Sequence, residues 1–162
     1  MLEASSCRLR PGVTEFLKLA HQHHIPVLIV SGGISDVIEM LLQWEECYHD
    51  NITIVSNRLK YDTDDVMMGA EKPFMTASSK LDVVKDHEYF KRVVRDNVLL
   101  LGDMLSDLKV GACVSCKETL SVGFCHHPDR DLNSYCDNYD LVLLGNPGFD
   151  VINQMFRQIV AE

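Results

Sequence analysis

The sequence predicts an α/β protein, a parallel sheet with covering helices, and three observations lead there. Apolar runs alternate with helical segments that carry one apolar face, the pattern of successive βαβ units. Two of the runs, Ile25-Pro26-Val27-Leu28-Ile29-Val30 and Val98-Leu99-Leu100-Leu101, are apolar throughout, as strands buried on both faces of a parallel sheet are. Both then break into small or acidic residues, Ser31-Gly32-Gly33 and Gly102-Asp103, at the strand ends where open α/β sheets bind ligands. With 162 residues and 46% hydrophobic content, the chain is long enough for a sizeable core, and residues 1–162 are read as a single domain.

The elements follow in order. Arg10-Pro11-Gly12 precedes Val13, Phe16, Leu17 and Ala20, which share a helical face. The Ile25–Val30 strand comes next and then, after Ser31-Gly32-Gly33, a helix carrying Val37, Ile38, Leu41 and Leu42. Ile52-Thr53-Ile54-Val55 supplies another strand. Residues 58–68 read as a small β-hairpin insert, two short strand-like pieces around the polar turn Asp62-Thr63-Asp64-Asp65. Pro73 to Lys80 is a loop, residues 83–95 a helix leading to the Val98 strand, and Met104 to Ala112 a short helix beyond it. Strands at Leu120–Phe124 and Leu141–Leu144 precede a closing helix with Val151, Ile152, Met155, Phe156 and Ile159 on one face.

Chemistry concentrates at the end of the Val98 strand. Gly102 lets the backbone turn without a side chain, Asp103 emerges at the strand's carboxyl end, and Asp107 follows on the opening turn of a helix. Two carboxylates converging on one point suit a hard cation such as Mg²⁺; the alternative is that Asp103 only caps the helix. Ser31-Gly32-Gly33 opens a helix whose free N–H groups favour an anion. A phosphate suits that place, with the serine hydroxyl and the bare glycine backbone as donors; the alternative is an ordinary N-cap and a tight turn. A transferring phosphoryl group also needs a fixed positive charge. Lys72 and Lys80 are the candidates, and either reads equally as a solvated surface lysine.

A formal net charge of −9 with no Lys/Arg cluster disfavours a binder of nucleic-acid polymers, so any phosphate handled belongs to a small molecule. No apolar stretch approaches the ~18 residues of a membrane span, and Met1-Leu2-Glu3-Ala4-Ser5-Ser6 lacks the basic and apolar regions of a signal peptide. A cytoplasmic location is the default, and the oligomeric state is not readable. In such a chain the six cysteines are expected as reduced thiols. Cys113 and Cys116 have zinc-ligand spacing with Cys125, His126 and His127 downstream, but no second tight pair completes a zinc pattern.

An apolar strand ending in Ser31-Gly32-Gly33, a later lysine, and then Leu100-Leu101-Gly102-Asp103 with Asp107 resemble the second, third and fourth motifs of the haloacid dehalogenase superfamily. Leu9-Arg10-Pro11-Gly12, Ile25-Pro26-Val27, Ile54-Val55-Ser56-Asn57 and Tyr139-Asp140-Leu141-Val142-Leu143 extend the likeness over nearly the whole chain. With them it resembles the cytosolic pyrimidine 5′-nucleotidase family, 5′-nucleotidase III. The resemblance implies a Rossmann-like, haloacid dehalogenase-like core. It also implies Mg²⁺-dependent hydrolysis of nucleoside 5′-monophosphates, of pyrimidine or 7-methylguanosine type, through a covalent aspartyl-phosphate. By the same resemblance Ser31 and Gly32 bind the phosphate, Gly32 standing where the family more usually has alanine. Lys80, preceded by Ser79 where asparagine is common, matches the phosphate-binding lysine, with Lys72 as runner-up. Asp103 matches the Mg²⁺ ligand, and Asp107 the neighbouring carboxylate that supports the metal's waters and the lysine.

The resemblance further implies two aspartates, nucleophile and general acid, in an Asp-x-Asp motif on a strand before the serine motif. No aspartate stands before Ser31, where Glu3 and Glu15 are the acidic residues. Asp62-Thr63-Asp64 and Asp129-Arg130-Asp131 come later, follow no apolar strand, and read as turn and helix-start residues. The helical cap that closes over the nucleotide has no counterpart either. The chain is therefore expected to be amino-terminally truncated, the carboxyl-terminal part of such a core, with unpaired strand edges that favour self-association. Two functions stay open: a 5′-nucleotidase, or a catalytically dead fragment acting as a binding or regulatory module.

Overall fold

The computed structural model describes residues 7–76 and 79–161; the opening Met1–Ser6 and two positions of the expected 73–80 loop lie outside them. Two compact units are present, one running to Lys72 and resuming at Gly148, the other Pro73–Pro147.

The first unit holds α1 (Val13–Gln22), β1 (Val27–Ile34), α2 (Ser35–Trp44), β2 (Ile52–Asn57), β3 (Leu59–Tyr61), β4 (Met67–Ala70) and, after the second unit's elements, the closing helix Asp150–Ile159. Gly12 starts α1 with a φ of 83°, a left-handed conformation that favours glycine. Phe16, Leu17 and Ala20 of α1 are buried, and the Phe16 ring centroid lies 4.8 Å from that of Phe156 in the closing helix and 5.5 Å from that of Phe149 just before it. Of the apolar face expected on the closing helix, Ile152 and Phe156 are buried, whereas Val151 and Ile159 are 47% and 52% exposed. At about 100° per residue the five expected positions spread wider than the strip that meets α1. Asn153 takes a buried place instead, donating to the Gly12 carbonyl at 2.9 Å.

β1 and β2 pair in parallel from Val27 opposite Ile52 to Val30 opposite Val55, then again at Ile34 opposite Asn57. Ser31, Gly32 and Gly33 therefore bow out against Ser56 alone, a bulge that re-aims the end of the strand. β3 and β4 form the expected hairpin. Asp62 holds its turn, with Oδ1 accepting the N–H groups of Asp64 and Val66 at 2.9 Å each.

The second unit holds α3 (Lys80–Val84), α4 (Tyr89–Arg92), β5 (Asn97–Gly102), α5 (Leu105–Gly111), β6 (Glu118–Cys125), α6 (Pro128–Cys136) and β7 (Leu141–Leu144); the closing helix is accordingly α7. Its sheet runs β5-β6-β7, all parallel, with Asn97 opposite Glu118, Gly102 opposite Gly123 and Val122 opposite Leu141. The parallel-sheet architecture expected from the sequence is thus present as two parallel sheets among the described residues, β1-β2 and β5-β6-β7.

The single helix expected over 83–95 is two short ones. His87 Nδ1 accepts the N–H of Tyr89 at 3.2 Å, a side chain competing for a backbone donor, and Val93 then turns extended at φ −101°, ψ 109°. Conversely, Asp129-Arg130-Asp131 opens a full helix, α6, with Pro128 in its first turn. Tyr135 is its buried residue, too thin an apolar face for periodicity to show. No helix among the described residues is long and apolar enough to cross a membrane.

Candidate active site

β5 ends bare because it must. A Cβ on Gly102 would lie 2.7 Å from both Asp107 Cβ and the Tyr139 hydroxyl oxygen, so only glycine lets the chain turn there through Asp103 and Met104 into α5. Met104, not Asp103, is the N-cap residue of α5. Asp107 does the capping from the first turn, its Oδ2 accepting the N–H groups of Asp103 and Met104 at 3.1 Å each, the carboxylate half of a capping box. Asp107 Oδ1 accepts from Lys80 Nζ at 2.7 Å, and the two side chains are 12% and 11% exposed. A buried charge is tolerated when paired and hydrogen-bonded in this way.

Asp103 is the opposite case. It is exposed, and no described residue offers its carboxylate a hydrogen bond or an ion pair. The capping role considered for Asp103 thus falls to Asp107, and Asp103 is left as an open carboxylate beside a buried Lys–Asp pair. A hard, charged oxygen on a tight turn fits Mg²⁺, which takes one or two carboxylates and keeps most of its waters. Zinc does not fit. Among the described residues no three His, Cys, Asp or Glu side chains gather as a metal site, and Cys113 Sγ faces the Lys109 carbonyl while Cys116 Sγ faces the Thr119 hydroxyl. The six cysteines are free thiols in the structure.

Two tyrosines complete the turn: Tyr135, absent from the sequence reading, and Tyr139, which entered it only through the family resemblance. Tyr135 of α6 donates to the Asp103 carbonyl, and Tyr139 donates to the Met104 carbonyl at 2.6 Å. Burial first, and negative neighbours second, push both phenols up, so both remain donors at neutral pH. A signal for the place of Tyr139 existed in Gly102 and Gly123, glycines in neighbouring strands that reading each strand alone does not connect.

In the first unit, Ser31 Oγ accepts the N–H of Gly33 at 3.0 Å, which leaves the hydroxyl proton for an outside acceptor. The Gly32 and Gly33 carbonyls are held by Asn57 Nδ2 and Ser56 Oγ, 2.9 Å each. Ser56 and Asn57 entered the sequence reading only through resemblance; their side chains hold the Ser31–Gly33 bulge in shape. Ile34 is the N-cap of α2, so Ser31 is not an ordinary helix cap. Lys72 is exposed, whereas Lys80 opens α3 and reaches Asp107. Asp62 and Asp64 sit in the hairpin turn and Asp129 and Asp131 in the first turn of α6, where Arg130 forks onto Asp131 at 2.8 Å. The structure therefore brings Lys80, Asp103 and Asp107 together in one unit, while Ser31 and Gly32 belong to the other.

The sequence model of the pyrimidine 5′-nucleotidase family (UMPH-1) matches residues 1–160. The chain is 33% identical over its full length to 7-methylguanosine phosphate-specific 5′-nucleotidase A of Xenopus laevis, covering 57% of that protein. It is 28% identical to the human 7-methylguanosine phosphate-specific 5′-nucleotidase, again over its full length and over 55% of the relative. It thus spans about half the length of the curated relatives it matches. Among solved structures, cytosolic 5′-nucleotidase IIIB bound to cytidine superposes with a TM-score of 0.81 at 25% identity, over 94% of this chain and 51% of that one. A HAD-family hydrolase of Salmonella enterica shares the fold, with a TM-score of 0.61 at 19% identity over 89% of this chain and 45% of its own.

Proposed function

Because the chain belongs to the pyrimidine 5′-nucleotidase family, we propose that it serves the hydrolysis of nucleoside 5′-monophosphates to nucleoside and phosphate. The base would be of pyrimidine or 7-methylguanosine type, the cofactor Mg²⁺, and the setting cytosolic. The relatives' names support this reading: several are called specific for 7-methylguanosine phosphate, one from Caenorhabditis elegans is a putative cytosolic 5′-nucleotidase, and one solved structure holds cytidine. In the same reading residues 1–162 belong to a haloacid dehalogenase-like core.

The observation that carries the proposal is the buried Lys80–Asp107 pair at the carboxyl end of β5, with the open Asp103 carboxylate beside it. Lys80, aimed by Asp107, presents a fixed positive charge to phosphoryl oxygens. In the first unit, the Ser31 hydroxyl and the Gly32 backbone would be phosphate donors by the family resemblance. Asp103 would hold Mg²⁺, which when bound neutralises charge on the phosphate. Asp107 keeps both partners in place through three accepted hydrogen bonds.

A second reading follows from one sequence fact. No aspartate precedes Ser31, so the attacking carboxylate that the family resemblance implies is not among residues 1–30. On that reading the chain binds a nucleotide without turning it over. Phosphate release from CMP, UMP and 7-methyl-GMP, with Mg²⁺ and with EDTA, separates the two. Mg²⁺-dependent release that is lost in Asp103→Asn and Lys80→Met supports hydrolysis. No release, but nucleotide binding lost in Lys80→Met, supports the binding module, and neither release nor binding overturns both.

A further inference from the structure

We infer that Tyr139 and Tyr135 are positioning residues for the Asp103 carboxylate, acting through the backbone of the turn that carries it. The inference rests on the reading of Asp103 as a metal ligand. Gly102 and Gly123 face each other across β5 and β6, and their bareness makes one slot. A Cβ on Gly123 would lie 2.5 Å from Cδ2 and 2.7 Å from Cγ of the Tyr139 ring, and one on Gly102 would meet the Tyr139 hydroxyl. Glycine weakens a strand interior unless another group must approach closely, and here the Tyr139 ring is that group.

Filling the slot would need only a ring, and phenylalanine would serve. The hydroxyl goes further, to the Met104 carbonyl at 2.6 Å, while Tyr135, its ring 5.5 Å away and inclined by 25°, takes the Asp103 carbonyl. Both phenols are thus directed at consecutive carbonyls of one turn. Asp107 takes the N–H groups of the same two residues. Asp103 is therefore tethered on both sides of its backbone while its side chain stays open. An open carboxylate on a loose turn would have to be ordered each time it gripped a cation. One on a tethered turn is preorganised.

The test is Tyr139→Phe and Tyr135→Phe, which keep the rings and remove the hydroxyls. Two readouts are Mn²⁺ affinity, from paramagnetic broadening of Asp103 resonances, and amide hydrogen exchange at Asp103 and Met104. Each variant should bind Mn²⁺ about three- to tenfold more weakly, the effect of one net hydrogen bond, with exchange at β7 amides unchanged. Binding within twofold of the parent in both variants overturns the inference. Mn²⁺ that binds neither parent nor variants overturns the metal reading of Asp103 instead. In that event faster Asp103 and Met104 exchange in the variants supports the tether, and unchanged exchange overturns it.

Discussion

Replacing Asp107 by alanine is expected to be among the most damaging single changes in the second unit. The carboxylate accepts three hydrogen bonds, from Lys80 Nζ at 2.7 Å and from the Asp103 and Met104 N–H groups at 3.1 Å each. Removing it leaves the Lys80 ammonium, 11% exposed, without a partner, and breaking a buried pair from one side costs about 3–5 kcal/mol. The lost cap adds roughly 1 kcal/mol. A total of about 4–6 kcal/mol is large against the roughly 5–15 kcal/mol that holds a typical domain together.

Lys80→Met should cost less, about 2 kcal/mol, because the carboxylate keeps its two backbone donors and an apolar side chain replaces the ammonium. The double variant leaves no buried charge, so it should be more stable than the sum of the single losses implies, by about 2 kcal/mol. Urea unfolding of the four proteins, with amide exchange in β5 as a local readout, measures this cycle. If Asp107→Ala costs under about 1 kcal/mol, or the two losses add to within about 0.5 kcal/mol, then the pair is no coupled buried ion pair and the account of the turn is wrong.

Three further predictions come from other parts of the chain. His49 stacks on His21 with centroids 4.3 Å apart, and burial, then the neighbouring His21 and Lys18, push its imidazole down against the opposing pull of Asp50. A lowered folded pKa means that the unfolded chain takes the proton first, so this contribution is present above about pH 6.5 and fades as pH falls. NMR titration should place His49 below the ordinary range, His49→Phe should flatten the acid dependence, and a His49 midpoint above 6.5 would refute the assignment. Asp140 is held below the usual carboxylate range by the Ser121 hydroxyl at 2.7 Å and the Ser121 N–H at 2.8 Å. Its contribution is therefore present above about pH 4 and lost in acid, and Ser121→Ala should move the Asp140 titration upward; identical curves would count against the bond. Gly123→Ala should destabilise by roughly 1–3 kcal/mol through overpacking on the Tyr139 ring, less so in a Tyr139→Ala background, and equal losses in both backgrounds would place the clash elsewhere.

The strands were the readable part of this fold. Val98 to Leu101 and Leu141 to Leu144 are apolar at every position, and such runs announce themselves without partners, although the structure leaves most of them half-buried and Leu144 51% exposed. The helices were readable only where one face is broad. α1 and α2 show their period, whereas 83–95 breaks at His87 because a side-chain nitrogen captures the Tyr89 N–H, a competition that periodicity does not register. α6 was visible only by its start, Pro128-Asp129-Arg130-Asp131, since Tyr135 is the residue it buries.

The site divides along the same line. Gly102, Asp103 and Asp107 were legible as a group because a strand end and the first turn of the next helix are neighbours in sequence, and local spacing already implies that they meet. Local pattern did not separate Lys80 from Lys72, and only the family resemblance put Lys80 first, since which one is buried depends on where α3 packs. The part the tyrosines play was illegible for a stronger reason. Tyr139 matters through two glycines on two strands, paired by a register that no single strand contains, and its hydroxyl ends on a carbonyl 35 positions upstream. A side chain that acts on backbone carbonyls leaves no compositional trace at the place where it acts. Its trace is the pair of missing Cβ atoms that let it in, so glycines facing each other across paired β-strands beside an acidic turn are where a search for such tethers should begin.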